Sequence, residues 1–248
     1  MHRCFVPPEL VHDSFIELPE GEARHLSQVL RLVVGDQVMA LDGVGHRYQC
    51  VVAAIEKRRA RLQIQQTESV PLQSGEVHLV QALLKNKALD QVLAKAVELG
   101  VSQLTLVDTQ HSVAKISRAE QGRKAEGWRE TLIEAAKQSG NPWLPRLQGP
   151  VSLREWLDGQ PEAELKLVAS LCPNSVHLRR ITEAFTASQR RLPQTAVIVI
   201  GPEGDFSPSE LDQLEAAGFR PITLGHTVLR AETAATVAAA VLRHEMSP

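Results

Sequence analysis

Residues 196–206, Ala-Val-Ile-Val-Ile-Gly-Pro-Glu-Gly-Asp-Phe, carry the clearest structural instruction in this chain of 248 residues. Ala196–Ile200 is a continuous apolar run with no polar alternation, the pattern of a strand covered on both faces in a parallel sheet. Gly201-Pro202-Glu203-Gly204 ends the run. Ser207-Pro208-Ser209-Glu210 then opens a helix, with Ser at the N-cap, Pro at the first helical position and Glu placed to close a capping box. In open α/β sheets, ligands gather at the carboxyl ends of strands, and glycines let the main chain come close to them. The same residues serve equally well as a tight strand-to-helix turn that binds nothing. No Lys-Ser/Thr follows and GxGxxG is absent, which excludes a P-loop and a dinucleotide fingerprint.

Towards the C-terminus the arrangement recurs. A strand, Pro221–Leu224, leads into Gly225-His226-Thr227-Val228-Leu229-Arg230-Ala231-Glu232-Thr233, which opens a final Ala/Thr/Val-rich helix over Glu232–Arg243. Two glycine-bearing loops at neighbouring strand ends strengthen the case for a pocket. Arg230, a lone cation beside such a loop, suits an anion or an electron-rich ring; a surface ion pair is the plainer alternative. Glu232 or Thr233 is placed to cap the helix, and Glu232 complements its dipole.

Towards the N-terminus, strands at Val77–Leu84, Leu104–Val107 and Leu165–Leu171 alternate with helices at Ala88–Leu99, Arg118–Gln138 and from about Val176. Gly100 serves as a helix stop. This alternation implies a mainly parallel α/β sheet with helices on both faces. The first 66 residues keep a different rhythm. Short β-type runs (Arg3–Val6, Ser14–Leu18, Gln37–Leu41, Arg47–Ile55, Ala60–Gln65) surround one helix, Glu22–Leu32, with Leu26, Val29, Leu30 and Val33 at helical spacing. That predicts a small β-barrel. Thr67–Gly75 is polar, contains Pro and Gly, and reads as the linker, dividing the chain into 1–70 and 76–248.

Composition sets the outer bounds. Hydrophobic residues make up 43% and charged residues 23% of the chain, as in ordinary globular proteins. The formal net charge of −2 argues against indiscriminate binding to nucleic acid, while leaving a specific RNA enzyme open. Basic clusters at Lys57-Arg58-Arg59-Ala60-Arg61, Arg179-Arg180 and Arg190-Arg191 read most simply as solvated faces. Cys4, Cys50 and Cys172 are widely spaced, and the nine histidines show no ligand pairing, so reduced thiols and no metal site are expected. No apolar run approaches a membrane span, and Met1-His2-Arg3-Cys4-Phe5 does not begin a signal peptide, which predicts a cytoplasmic protein free of membrane.

The pair Gly201-Pro202-Glu203-Gly204-Asp205-Phe206-Ser207 and Leu224-Gly225 with Leu229-Arg230-Ala231-Glu232-Thr233-Ala234 resembles the SPOUT methyltransferases. It is most similar to the 16S ribosomal RNA uridine N3-methyltransferases, the ribosomal RNA small subunit methyltransferase E family. The similarity extends over nearly the whole chain, through Arg3-Cys4-Phe5, His25 with Val29-Leu30-Arg31, Gly35-Asp36, Asp42-Gly43, Lys85, Lys95–Gly100, Ser112-Val113 and Glu134–Ser139. One departure stands out: Asp205 occupies a place where the family pattern favours a second glycine.

The resemblance implies an N-terminal PUA-like barrel that engages RNA and a SPOUT domain whose C-terminal segments form a trefoil knot. It implies S-adenosylmethionine as cofactor, 16S rRNA of the small ribosomal subunit as substrate, and a homodimer whose packing would suit the Ala/Thr/Val face of the last helix. The cofactor site would be built on Gly201, Pro202, Glu203, Gly204, Gly225, Val228 and Thr233, with Leu171, Ile200, Leu224 and Leu229 as apolar walls. Arg230 would stabilise charge on a uracil oxygen, and Glu203 would accept a proton or rigidify its loop. Arg3, Arg24, His25 and Arg31 are the candidate RNA contacts. An assembly factor that binds RNA without transferring a methyl group is the rival reading.

Overall fold

A computed structural model describes residues 1–159 and 162–247. The chain forms two compact units, one of residues 1–72 with 132–144, the other of 73–131 with 145–248. The first unit thus takes in a stretch from just past the midpoint of the sequence.

In the first unit, strands β1 (His2–Phe5), β2 (Phe15–Glu17), β3 (Gln37–Leu41), β4 (His46–Ile55) and β5 (Ala60–Ser69) form one sheet in the order β1-β3-β4-β5-β2. The β1–β3 pairing is parallel and the others are antiparallel. Cys4, Val6, Ile16, Leu26, Val38, Ala40, Val52 and Leu62 pack into a single core. Strand β5 runs past Gln65 into the stretch read as linker, because Thr67, Glu68 and Ser69 pair with Tyr48, Arg47 and His46. Ladder bonding to a long partner outweighs polar composition there.

The helix expected over Glu22–Leu32 divides into α1 (Glu20–Arg24) and a π-helical turn, His25–Val29. The Leu30 N–H donates to the His25 carbonyl, five residues back. A π turn rotates the residues after it out of α-helical register. Leu26 is fully buried and Leu30 packs against the core, yet Val29 is 66% and Val33 61% exposed, so only part of the apolar stripe predicted for this helix reaches the core.

The second unit is built on β6 (Glu76–Ala82), α2 (Asn86–Glu98), β7 (Gln103–Asp108), α3 (Arg118–Ser139, its last turns counted in the first unit), β8 (Arg146–Ser152), α4 (Leu153–Asp158), β9 (Leu165–Ala169), β10 (Val176–His177), α5 (Leu178–Gln189), β11 (Thr195–Ile200), α6 (Pro208–Ala216), β12 (Arg220–Thr223) and α7 (Ala231–Glu245). Seven strands form a wholly parallel sheet in the order β10-β12-β9-β11-β6-β7-β8. The run 196–200 lies between β9 and β6 and is buried at every position, as a strand covered on both faces must be.

Strand β8 and helix α4 escape the periodicity reading. Arg146–Ser152 contains Gly149 and Pro150 and forms a half-buried edge. Helix α4 is capped by Ser152, whose side chain accepts from the Glu155 N–H. Helix α7 buries Ala231, Ala235, Ala238, Ala239 and Leu242 and packs on α2, β6 and β11. The small-residue face expected to serve a second subunit is therefore largely spent inside this unit.

Candidate functional site

Strands β12, β9 and β11 are adjacent, so the loops at their carboxyl ends start about 4.8 Å apart, spanning roughly 10 Å in all. Those loops hold 170–175, 201–207 and 224–230. Parallel pairing thereby brings Leu171, Gly201–Gly204 and Leu224–Arg230 to one end of the sheet.

The capping box at Ser207 forms as the sequence predicts: Ser207 Oγ accepts from the Glu210 N–H, and Glu210 Oε2 accepts from the Ser207 N–H at 2.9 Å. The turn before it is fastened at several points. The Asp205 N–H donates to the Pro202 carbonyl at 3.1 Å. Asp205 itself has φ +58°, and its Oδ1 accepts from the Phe206 N–H at 2.8 Å. This conformation is why glycine suits the position; Asp tolerates it by bonding to its own main chain. Gly204 has ordinary space requirements, except that a Cβ there would stand 3.2 Å from the His111 Cβ.

Sequence reasoning missed two residues that hold this turn. His111, in the loop after β7, donates through Nδ1 to the carbonyls of Gly204 (3.1 Å) and Asp205 (3.0 Å). Both partners are acceptors only, so the proton sits on Nδ1. Gln81, fully buried on β6, donates through Nε2 to the Ala82 carbonyl at 3.0 Å and reaches the Gly201 carbonyl at 3.4 Å; its Oε1 is buried with no partner. A polar residue within the apolar Val77–Leu84 run was the available signal for Gln81. His111 had none.

The remaining candidates fall into three groups. Leu171 and Val228 are 63% and 75% exposed, unusual for apolar side chains, while Leu224 and Leu229 are half-buried. Ile200 and Pro202 are buried, so Ile200 presents the site with main chain while its side chain stays in the core. Glu203, Arg230 and Thr233 are exposed. Among the described residues neither Glu203 nor Arg230 has an ion-pair or hydrogen-bond partner for its side chain. Glu203 therefore does not rigidify its own loop; Asp205 and His111 do. Nor does Thr233 or Glu232 cap α7, whose N-cap is Arg230 with no side-chain bond. Thr223 Oγ1 closes the second loop instead, accepting from the Gly225 N–H and donating to the Gly225 carbonyl.

Main-chain N–H groups at Glu203, Gly204 and His226–Leu229 have no partner in the chain among the described residues. The two loops thus offer a row of exposed donors beside exposed apolar side chains. A cavity of about 720 Å³ lies elsewhere in this unit, between α4 and α6; of the residues above only the cap residue Glu210 lines it, and none of the sequence-predicted site residues does.

In the first unit, Arg24 and Arg31 are exposed, and their side chains have no partner among the described residues. His25 is half-buried. Arg3 is different: its Nη1 donates to the Lys137 and Gln138 carbonyls at 3.0 and 2.8 Å, closing the C-terminus of α3.

Residues 71–243 match the family described as RNA methyltransferase domain, and residues 18–65 match the RNA methyltransferase PUA domain. The chain belongs to the RNA methyltransferase domain family. Within it, the ribosomal RNA small subunit methyltransferase E of Synechocystis sp. is 30% identical over 241 residues, covering 96% of this chain and 76% of that one. Its counterpart from Mycobacterium tuberculosis is 31% identical over 88% of this chain and 81% of its own length. Among solved structures, a ribosomal RNA small subunit methyltransferase E from Neisseria gonorrhoeae bound to S-adenosyl methionine superposes with a TM-score of 0.87 at 29% identity, covering 98% and 97% of the two chains. A Legionella pneumophila methyltransferase in complex with the same cofactor matches equally well, over 98% and 96%. The SPOUT-type architecture, with a PUA domain at the N-terminus, is that expected from the sequence.

Proposed function

We propose that this chain transfers the methyl group of S-adenosylmethionine to N3 of a uridine in the 16S rRNA of the small ribosomal subunit. The observation that carries this reading is the family match across both units, joined to a sheet end whose loops suit such a cofactor. When bound, S-adenosylmethionine supplies an electrophilic methyl group and needs no metal to do so. The unpaired amides of Glu203, Gly204 and the 226–229 stretch fit the polar edge of its adenine and ribose. Leu171, Leu224, Val228 and Leu229 fit its apolar faces, with Gly201, Pro202, Gly225 and Thr233 completing the wall.

Uridine N3 bears a proton and is a poor nucleophile until that proton leaves. The chain must favour the uracil anion and hold N3 in line for attack. Arg230, a cation at the site with no side-chain partner among the described residues, stabilises negative charge on a uracil carbonyl oxygen. Glu203, exposed and unpaired, is the acceptor for the N3 proton. Arg24, His25 and Arg31 contact RNA phosphates, which position the substrate without selecting the base. The chain acts in the cytoplasm as a homodimer, using the half-buried apolar stripe Ala234, Val237 and Val241 that α7 leaves uncovered, and its last segments carry the trefoil knot.

Mass mapping of small-subunit rRNA from a deletion strain, before and after return of the gene, tests the assignment: one 3-methyluridine should vanish and reappear. An unchanged map removes the proposal. Arg230→Ala should lower single-turnover methylation by ~10²–10³, the usual cost of one preorganised donor, with calorimetric cofactor affinity nearly unchanged. Lys should restore only part, keeping charge without the planar fork.

A further inference from the structure

We infer that His111 is a positioning residue for the cofactor seat, an inference that rests on the methyltransferase reading of the 201–204 loop. The imidazole comes from a different strand end, beyond β7, yet its Nδ1–H is shared between two successive carbonyls of the turn, Gly204 and Asp205. Its Cβ also closes the space a side chain at position 204 would need. A second tie lies beside it: the Gln110 N–H donates to Glu210 Oε1 at 2.8 Å, while Glu210 Oε2 serves the Ser207 cap. The loop after β7 thus grips the loop after β11 at the middle of the turn and, through Glu210, at the helix cap that follows it.

The arrangement has a chemical consequence. Within the turn, the Asp205 and Phe206 N–H groups are consumed internally, by the Pro202 carbonyl and by Asp205 Oδ1. His111 consumes the Gly204 and Asp205 carbonyls. Among the described residues the Glu203 and Gly204 N–H groups remain unpaired, on a turn whose orientation these bonds hold. Preorganised donors bind better than donors that must first be ordered. His111 keeps them ordered.

Calorimetry with S-adenosylhomocysteine on the full chain tests this, beside hydrogen–deuterium exchange of the 201–206 segment. His111→Ala should weaken binding by roughly tenfold or more, from loss of two hydrogen bonds, and should speed exchange of the segment. Because His111 is exposed, the thermal midpoint of the ligand-free protein should hold. His111→Asn places an amide donor near the Nδ1 position and should recover affinity to within about threefold of the parent. Equal affinity in parent and Ala variant overturns the inference, as does an Asn variant no better than Ala. A parent chain that ignores S-adenosylhomocysteine defeats the methyltransferase reading instead. The exchange data then judge His111 separately, with equal rates in all three proteins counting against it.

Discussion

Asp205 offers a perturbation whose size follows from two structural features. Its backbone sits at φ +58°, a conformation costing an ordinary L-residue about 1–2 kcal/mol. Its carboxylate offsets part of that by accepting from the Phe206 N–H, a bond whose net contribution is about 0.5–1.5 kcal/mol. Asp205→Ala keeps the strained backbone and removes the bond, leaving the N–H of a buried residue, Phe206, without its partner. We expect a loss of about 1–2 kcal/mol. Asp205→Gly also removes the bond but relieves the strain, against a chain-entropy cost of about 0.5–1 kcal/mol. It should fall within about 1 kcal/mol of the parent. Urea unfolding at pH 7 with equal m-values reads the order directly, parent and Gly above Ala, and S-adenosylhomocysteine affinity should follow it. An Ala variant as stable as the parent, or a Gly variant below Ala, would refute the account of this turn.

Three further outcomes are expected. His78 is buried beside Trp156, and burial pushes its pKa down to about 4 from the ordinary 6.5. Between those values the unfolded chain takes up a proton that the folded chain refuses, so stability present above pH 6.5 is lost as pH falls toward 4. At ~1.4 kcal/mol per pH unit the loss approaches ~3 kcal/mol; His78→Gln should flatten this part of the profile, and an identical pH dependence in both proteins would remove His78 as its cause. In the first unit, Arg24→Ala and Arg31→Ala should each weaken RNA binding and reduce its salt slope by about one. Arg3→Ala should instead lower stability by about 1 kcal/mol through its two lost helix-end bonds; a reduced salt slope would return Arg3 to the RNA surface.

The legible parts of this chain were those with a strong local signal. Ala196–Ile200 could be placed in a buried parallel strand because five adjacent apolar residues leave no solvent face. Ser207–Glu210 could be read because capping chemistry has a fixed spacing. The first loop's glycines were visible as well, though not what each does: Gly204 answers to His111 packing rather than to dihedral angle. His111 was hidden, and the role of Gln81 with it, because the carbonyls they hold lie 93 and 120 residues away in sequence, and no periodicity records such a distance. The π turn at His25–Val29 was hidden for another reason. Its apolar residues still repeat at helical spacing in the sequence, while the five-residue backbone bond that turns them out of register leaves no mark there.

The order of strands also bears on how the chain is made. Strand β6 is the first strand of its sheet to leave the ribosome, yet its inner neighbour is β11, with Glu76 opposite Thr195. About 120 residues separate the two, so at ~5–20 residues per second the apolar edge Val77–Ala82 waits on the order of ten seconds for its partner. During that interval β7 can cover one side only. The nascent protein therefore carries an unpaired, aggregation-prone strand edge through nearly half of its synthesis, and slow codons placed between residues 108 and 195 should lower its soluble yield more than the same codons placed before residue 70.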